Sequence, residues 1–123
     1  DKRRVSGETT EVMNILGEEE IKGRNVMIID DLVATAGSLV EAANALKKAG
    51  AKDIYAAITH PVFSGSAIKR IETSVIKKLF VTDTIPLNNE KRHKKIKVLS
   101  IAPLLADAVK RIHNEKSVSC LFD

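Results

Sequence analysis

The strongest chemical signal in this 123-residue chain is the stretch from Val26 to Leu39. Its first four residues are apolar and predict a buried strand, which delivers two adjacent carboxylates, Asp30 and Asp31, at its carboxyl end. A turn of small residues then leads into a helix, whose backbone N–H groups and positive dipole end form a natural cradle for phosphate. Because carboxylates repel phosphate, the two aspartates should instead face sugar hydroxyls or a hydrated magnesium ion.

The turn itself adds features that suit a phosphorylated sugar. Thr35 and Ser38 supply hydroxyl donors, and Gly37 lets the backbone approach an anion closely. The stretch has no lysine directly after its glycine and no G-x-G-x-x-G pattern, so neither a P-loop nor a dinucleotide site is predicted. We expect a sugar phosphate with its 5′-phosphate on the turn and its ribose hydroxyls on Asp30 and Asp31. The alternative is an acidic strand end that only caps a helix.

Alternating strand and helix patterns predict the fold that positions this turn. The 25–30 segment is apolar on both faces, which is typical of a central parallel strand. Ser38 and Glu41 have the spacing of a capping box at the start of the next helix, and Gly50 ends that helix. Repeated crossovers of this kind predict an α/β class with a mostly parallel sheet flanked by helices. The predicted strands are 10–17, 25–30, 53–59, 78–82 and 96–101, and the predicted helices are 39–49, 66–71 and 103–112, with an acidic turn at 17–23 and a long loop at 83–95.

Composition narrows the class of protein. With 44% apolar and 29% charged residues the chain is typical of a globular domain, and no apolar run approaches the length of a membrane span. A net charge of +4 suits an anionic partner, but only four residues are aromatic, which disfavours single-stranded nucleic acid. The basic run 91–95 is interpreted as a solvated loop, and His93 and His113 lack metal-ligand spacing, so no nucleic acid, membrane or protein-held metal is expected. The single Cys120 and an N-terminus unlike a targeting peptide favour the cytoplasm.

The 26–39 stretch resembles the phosphoribosyl-pyrophosphate-binding motif of the type I phosphoribosyltransferase fold. Its flanks narrow the resemblance to the ribose-phosphate pyrophosphokinases. The similar segments are the family's catalytic loop and next strand, here Asp1–Arg4 and Glu11–Gly17, together with Tyr55–Gly65 and Ser117–Phe122. The resemblance runs the whole length of the chain and covers only the C-terminal part of the family's protein. We therefore expect residues 1–123 to be a C-terminal phosphoribosyltransferase-like domain.

This resemblance implies transfer of pyrophosphate from ATP to O1 of ribose 5-phosphate, with release of AMP. Lys2 and Arg4 would lie in a mobile loop as catalytic cations, with Arg4 also touching substrate phosphate. Without the family, they are only a solvated basic run. The family's residues for ATP and Mg²⁺ would lie upstream of Asp1, so the isolated chain is expected to fold without turnover. The ribose 5-phosphate site implied by the resemblance comprises Arg4, Asp30, Asp31, Ala34, Thr35, Ala36, Gly37 and Ser38.

The resemblance also implies a homohexamer, with a regulatory phosphate site between subunits near Ser117 and Ser119. The alternative is that these two serines lie in a tail strand. Two positions depart from the family's pattern, which usually has Asp where this chain has Ala34 and Thr where it has Ser38. The first change removes a carboxylate near the sugar. Two other functions therefore stay open: a nucleobase phosphoribosyltransferase, and a regulatory homologue that binds ribose phosphates or nucleotides without turnover.

Overall fold

A computed structural model describes the backbone of residues 2–5, 9–12 and 18–122 and the side chains of residues 19–122. Strands and helices alternate along most of the chain, and two short 3-10 turns lie at Asn89–Lys91 and Ser119–Leu121. The strands are β1 (Lys2–Val5), β2 (Thr9–Val12), β3 (Val26–Val33), β4 (Ile54–Pro61), β5 (Ile76–Thr82) and β6 (Ile96–Leu99). The helices are α1 (Glu18–Ile21), α2 (Gly37–Lys48), α3 (Ala67–Thr73) and α4 (Ala102–His113).

Four of the strands form a parallel sheet in the order β3-β4-β5-β6, which confirms the predicted α/β class. The register aligns Val26 of β3 with Ile54 of β4, and Leu79 of β5 with Ile96 of β6. All four carboxyl ends therefore lie at one edge of the sheet, which is the edge where open α/β sheets bind ligands. β1 and β2 form a separate antiparallel pair.

The core lies between one face of this sheet and two helices. Along β4, the side chains of Ile54, Ala56 and Ile58 are at most 3% exposed and alternate with more exposed neighbours, as a strand with one covered face requires. The same core cluster contains Leu39 and Ala43 of α2, and α3 contributes two further residues. Since α2 is anchored in this core from its first turn, the turn that joins it to β3 is fixed at the carboxyl edge.

The position of β3 differs from the prediction. Among the described strands, β3 pairs with β4 alone, so in the described sheet it is an edge strand and not the predicted central one. The side chain of Met27 is 52% exposed and that of Ile29 is 79% exposed, because their face of the strand is not covered by any described element. β3 also extends to Val33, so Asp30 and Asp31 lie within the strand and not after it.

Three differences concern the start of the chain. Thr9–Val12 forms β2, whereas residues 13–17 of the predicted 10–17 strand lie outside the described residues. The acidic 17–23 segment contains helix α1 and is not only a turn. Lys2–Val5, expected to form a loop, is the strand β1 and pairs antiparallel with β2.

Candidate functional site

The turn between β3 and α2 presents an uncapped helix N-terminus. Helix α2 begins at Gly37, and its N-cap residue, Ala36, has a left-handed backbone with φ of 63°. An alanine side chain cannot accept a hydrogen bond, and no described side chain caps this end. The predicted capping box of Ser38 and Glu41 is therefore wrong, because Ser38 lies inside the helix. The first N–H groups of α2 have no acceptor within the helix and are available to an anion.

A cavity of about 390 Å³ opens beside this helix end. Its volume lies within the usual range for small-molecule sites. Leu39 and Ile58 belong to its lining, which ties the cavity to the core. All the residues that the sequence predicts for the sugar phosphate between β3 and α2 also line it, so the structure brings them together. They are Asp30, Asp31, Ala34, Thr35, Ala36, Gly37 and Ser38.

The two carboxylates approach this cavity in different ways. Asp30 lies in register with Ile58, and its Oδ1 accepts a hydrogen bond from the backbone N–H of Asp31 at 2.9 Å. Successive side chains of a strand point to opposite faces, so Asp30 and Asp31 come from different sides of β3. Within residues 19–122, no three His, Cys, Asp or Glu side chains gather in a way that could hold a metal ion. These residues therefore offer no protein cage for magnesium.

His60 lies one strand away, at the carboxyl end of β4. Its Nδ1 is 2.9 Å from the hydroxyl of Thr84, which itself donates to the carbonyl of Thr59 at 2.9 Å. The hydroxyl of Thr82 also donates to the Thr59 carbonyl, at 2.6 Å, so both threonines belong to one hydrogen-bonded cluster beside His60. The loop after β5 therefore orients this histidine, a contact that sequence spacing does not indicate.

A larger cavity of about 710 Å³ lies between the 83–95 loop and β6. Its lining combines the apolar Ile85 and Leu87 with the basic Arg92 and Lys97. None of the residues that the sequence predicts for the sugar phosphate lines it. The residue chemistry therefore favours the smaller cavity as the functional one.

The structure also brings Ser117 and Ser119 together on the surface. Their hydroxyl oxygens are 2.7 Å apart, and the N–H of Ser119 donates to the Ser117 hydroxyl at 3.2 Å. Arg111 lies beside them, with Nη1 donating to the Ser117 carbonyl at 3.4 Å, and a hydrogen bond to Asp107 raises the pKa of this guanidinium. Ser119–Leu121 is a 3-10 turn, so the alternative of a tail strand is wrong.

Two predicted cations lie at the start of the chain, and an arginine that was not predicted contacts the turn. Lys2 and Arg4 lie in β1, and their side chains are outside the described residues. Sequence reasoning missed Arg70, whose Nη1 donates to the carbonyl of Thr35 at 3.1 Å. This contact joins residues 35 positions apart, so no local spacing in the sequence indicates it.

Comparison with known proteins identifies the family. Residues 5–123 match the family described as "Phosphoribosyl synthetase-associated domain". The chain belongs to this family. Ribose-phosphate pyrophosphokinases from Caldanaerobacter subterraneus and Oceanobacillus iheyensis are 54% and 52% identical to it, over 99% and 100% of this chain. The crystal structure of phosphoribosylpyrophosphate synthetase from Mycobacterium smegmatis is 34% identical, with a TM-score of 0.76 over 87% of this chain and 34% of that one.

These findings confirm the resemblance that the sequence motifs carry. The chain spans 38% of the length of the two ribose-phosphate pyrophosphokinases, so it matches a part of each. Among the residues that the structure describes, no helix is both long and apolar enough to cross a membrane. The turn between β3 and α2 can now be interpreted within the phosphoribosyl synthetase-associated family.

Proposed function

We propose that this chain is the ribose-5-phosphate-binding part of a ribose-phosphate pyrophosphokinase. The whole enzyme would transfer pyrophosphate from ATP to O1 of ribose 5-phosphate, giving phosphoribosyl pyrophosphate and AMP in nucleotide biosynthesis. The observation that carries the proposal is one cavity that joins an uncapped helix N-terminus to two carboxylates from the preceding strand. Groups that bind an anion and groups that accept from hydroxyls lie side by side, as a sugar phosphate requires.

In this proposal, the 5′-phosphate binds the N–H groups of the turn, and the hydroxyls of Thr35 and Ser38 add donors. Both of these side chains are exposed and line the cavity. Asp30 and Asp31 accept hydrogen bonds from the ribose hydroxyls, and a hydrogen bond to a charged group contributes about 1.5–3 kcal/mol. The turn therefore holds the phosphate mainly through backbone groups, and the carboxylates orient the sugar.

The transfer step needs cations, and the proposal assigns them to Lys2 and Arg4. The O1 oxygen of ribose forms a bond to the β-phosphorus of ATP, the bond from that phosphorus to the oxygen of the leaving AMP breaks, and the O1 proton is released. Positive side chains lower the barrier because negative charge is redistributed over the transferred group and the leaving AMP. ATP and its magnesium ion would bind the part of the enzyme that this chain does not span. Residues 1–123 are accordingly proposed as its C-terminal phosphoribosyltransferase-like domain.

Calorimetry and an activity assay test the proposal. Ribose 5-phosphate should bind the purified chain, and Asp30→Asn should weaken that binding about tenfold by removing the charge from one hydrogen bond. Asp53→Asn is the matched control, because Asp53 pairs with Lys77 at 2.7 Å outside the cavity. Unchanged affinity in Asp30→Asn would remove its hydroxyl-binding role. The full-length protein should release AMP only when ATP and ribose 5-phosphate are both present, and the 123-residue chain alone should release none.

Ala34 favours a second candidate, a regulatory homologue that binds ribose phosphates or nucleotides without turnover. This exposed residue lines the cavity at the position where the resembled family usually has a carboxylate. Under the main proposal, Ala34→Asp in the full-length protein should tighten ribose 5-phosphate binding by about ten- to hundredfold. An inactive wild type that gains activity through Ala34→Asp would establish the regulatory function. Weaker binding would show that a third carboxylate repels the ligand more than its hydrogen bond attracts it.

We also propose that Ser117 and Ser119 belong to a regulatory phosphate site between the subunits of a cytoplasmic homohexamer. Their adjacent hydroxyls and the neighbouring Arg111 support this assignment. Inorganic phosphate should shift the amide signal of Ser119 in the assembled protein, and the double change Ser117→Ala with Ser119→Ala should abolish that shift. Sedimentation of the full-length protein as a monomer would contradict the placement between subunits.

A further inference from the structure

We propose that Arg70 and the backbone of Phe63 and Ser64 form a positioning clamp for the turn between β3 and α2. The clamp consists of three donors that hold three consecutive carbonyl oxygens of this turn. By holding them, it directs the N–H groups of the turn toward the cavity. The nature of the ligand rests on the function proposed above, whereas the positioning role does not depend on it.

The evidence for the clamp is a set of three hydrogen bonds in chain order. The carbonyl of Val33 accepts from the N–H of Phe63 at 3.2 Å, and the carbonyl of Ala34 accepts from the N–H of Ser64 at 2.9 Å. The next carbonyl, that of Thr35, accepts from Nη1 of Arg70 at 3.1 Å. A single segment, 63–70, therefore occupies every carbonyl between the end of β3 and the N-cap of α2.

The direction of these carbonyl groups also fixes the direction of the N–H groups of the turn. In a trans peptide, the N–H of one residue points opposite to the carbonyl of the residue before it. With three carbonyls turned toward the 63–70 segment, the N–H groups of Ala34, Thr35 and Ala36 point away from it. These three residues line the cavity, and the free N–H groups at the start of α2 follow directly. The clamp thus extends the donors of the helix end into a continuous row.

Two residues beside the clamp have backbone conformations that their surroundings must stabilise. Ala36 and Phe63 both have positive φ, 63° and 45°, a region that residues other than glycine adopt rarely and keep only when their surroundings hold them there. The side chain of Phe63 is 3% exposed and that of Ala36 is 4% exposed, so the core fixes one residue on each side. Between these two residues in space, the side chain of Arg70 adds its hydrogen bond to the carbonyl of Thr35, which directly precedes Ala36.

Arg70 also places a positive charge beside the N-terminus of α2. A Cβ built on Gly37 would lie 3.5 Å from Nη1 of Arg70, so the guanidinium sits beside the helix end. Its planar fork fixes the direction of the hydrogen bond, which the single ammonium of a lysine does not reproduce. The neighbouring Lys69 is exposed on the same helix and makes no hydrogen bond to the turn, so it serves as the matched control.

The test compares Arg70→Ala, Arg70→Lys and Lys69→Ala in the purified chain by two measurements. The first is the affinity for ribose 5-phosphate by calorimetry, and the second is the amide NMR spectrum of the free chain. Arg70→Ala should weaken binding about tenfold and shift the amide signals of Ala36 and Gly37, whereas Lys69→Ala should change neither. Arg70→Lys keeps the charge without the fork, so it should recover part of the affinity while the amide signals remain shifted.

Each outcome decides between the proposals. If Arg70→Ala and Arg70→Lys leave both the amide signals and the affinity at wild-type values, the clamp is wrong. If the wild type does not bind ribose 5-phosphate, the proposed function fails, and the amide signals of the free chain still decide the positioning role. If Arg70→Ala does not fold, the spectrum of Arg70→Lys supplies the same decision.

Discussion

Two helices of this chain begin at the carboxyl edge of the same parallel sheet, and their N-termini are built in opposite ways. At α4, the N–H of Ile101 donates to the carboxylate of Asp83 at 2.9 Å, and the N–H of Ala102 donates to the hydroxyl of Ser100 at 3.2 Å. At α2, the N-cap is Ala36, and no described side chain caps the helix. Neither N-cap side chain caps its own helix, but side chains outside α4 hold the N–H groups of Ile101 and Ala102, and Pro103 has no N–H. The first N–H groups of α2 have no such partner among the described side chains.

The contrast separates a structural helix end from a binding one. Orphan N–H groups at a helix start must be satisfied by side chains, water or ligands. Satisfying them internally stabilises the fold, as Asp83 does for α4. Leaving them free at α2 forgoes that internal stabilisation and keeps the N–H groups available to water or to a ligand. Free donors alone would not identify the site, but here they adjoin two carboxylates in one cavity.

Closing the α2 end should have the largest effect. Ser38 lies in the first turn of α2, so Ser38→Asp places a carboxylate near the free N–H groups, as Asp83 does at the start of α4. The free chain should become more stable, by about 0.3–1 kcal/mol from the helix dipole. Its affinity for ribose 5-phosphate should fall roughly hundredfold or more, because the new charge occupies the donors and repels the phosphate. Calorimetry with ribose 5-phosphate and thermal unfolding measure the two effects.

The control for this change is Ser38→Asn, which has nearly the same shape and no charge. It should weaken binding far less than Ser38→Asp. Equal losses in the two variants would mean that bulk and not charge blocks the site. Undiminished affinity in Ser38→Asp would show that the phosphate does not bind at this helix end.

The second prediction concerns the backbone of the two caps. Ala36→Val places a β-branched side chain at φ of 63°, in a buried position, and should lower the free energy of unfolding by about 2 kcal/mol or more. The matched change at the N-cap of α4 is Ile101→Val. Because Ile101 has an ordinary φ of −93°, this change should lower the free energy of unfolding by about 1 kcal/mol, through the lost methylene alone. Chemical denaturation measures both. Equal losses would remove the argument that the α2 cap is strained.

A third, smaller effect is expected at Gly37. A Cβ there would lie 3.5 Å from Nη1 of Arg70 and 3.7 Å from Oγ1 of Thr35, both ordinary contacts. Gly37→Ala should therefore stabilise the free chain by about 0.5–1 kcal/mol through reduced freedom of the unfolded state. Binding of ribose 5-phosphate should weaken, since the added methyl narrows the approach to the helix end. Stability and affinity that rise together would show that the ligand does not approach the backbone at this residue.

The sequence predicts the features of this site that depend only on residues close together along the chain. The spacing from Val26 to Leu39 is sufficient to predict the strand, the turn and the helix, because hydrophobic periodicity and small residues act within a few positions. It misplaces the cap, since the Ser38–Glu41 spacing cannot reveal that the left-handed residue is Ala36. It misses Arg70 altogether, because its contact with the turn depends on how α3 packs beside α2.

The edge position of β3 is a second case in which the sequence is insufficient. Met27 and Ile29 are apolar, and a strand that is apolar on both faces is normally covered on both. Both side chains are exposed in the described part of the chain. Apolar residues therefore indicate that a strand can be buried, but they do not indicate which segment covers it. The parallel order of the sheet, in contrast, follows from the alternation of strands and helices.

The smallest effect is expected at α4, where the carboxylate of Asp83 accepts from the N–H of Ile101. The hydroxyl of Ser100 and the N–H of Ile101 hold the pKa of Asp83 below its ordinary value of 3.8. A carboxyl whose pKa is lowered by folding contributes stability above its unfolded pKa and loses it as the pH falls through the folded one. Asp83→Asn keeps an acceptor oxygen and removes the charge, so it should lower the melting temperature by only a few degrees at neutral pH.

Lowering the pH tests whether Asp83 acts through its charge. The difference in melting temperature between wild type and Asp83→Asn should stay constant from neutral pH to mildly acidic pH and shrink once the pH falls below 3.8. Affinity for ribose 5-phosphate should not change, because Asp83 does not line the cavity beside α2. A difference that persists undiminished in acid would show that Asp83 acts through its shape and not its charge. A change in affinity would show that the two helix ends are coupled, and that the start of α4 is not purely structural.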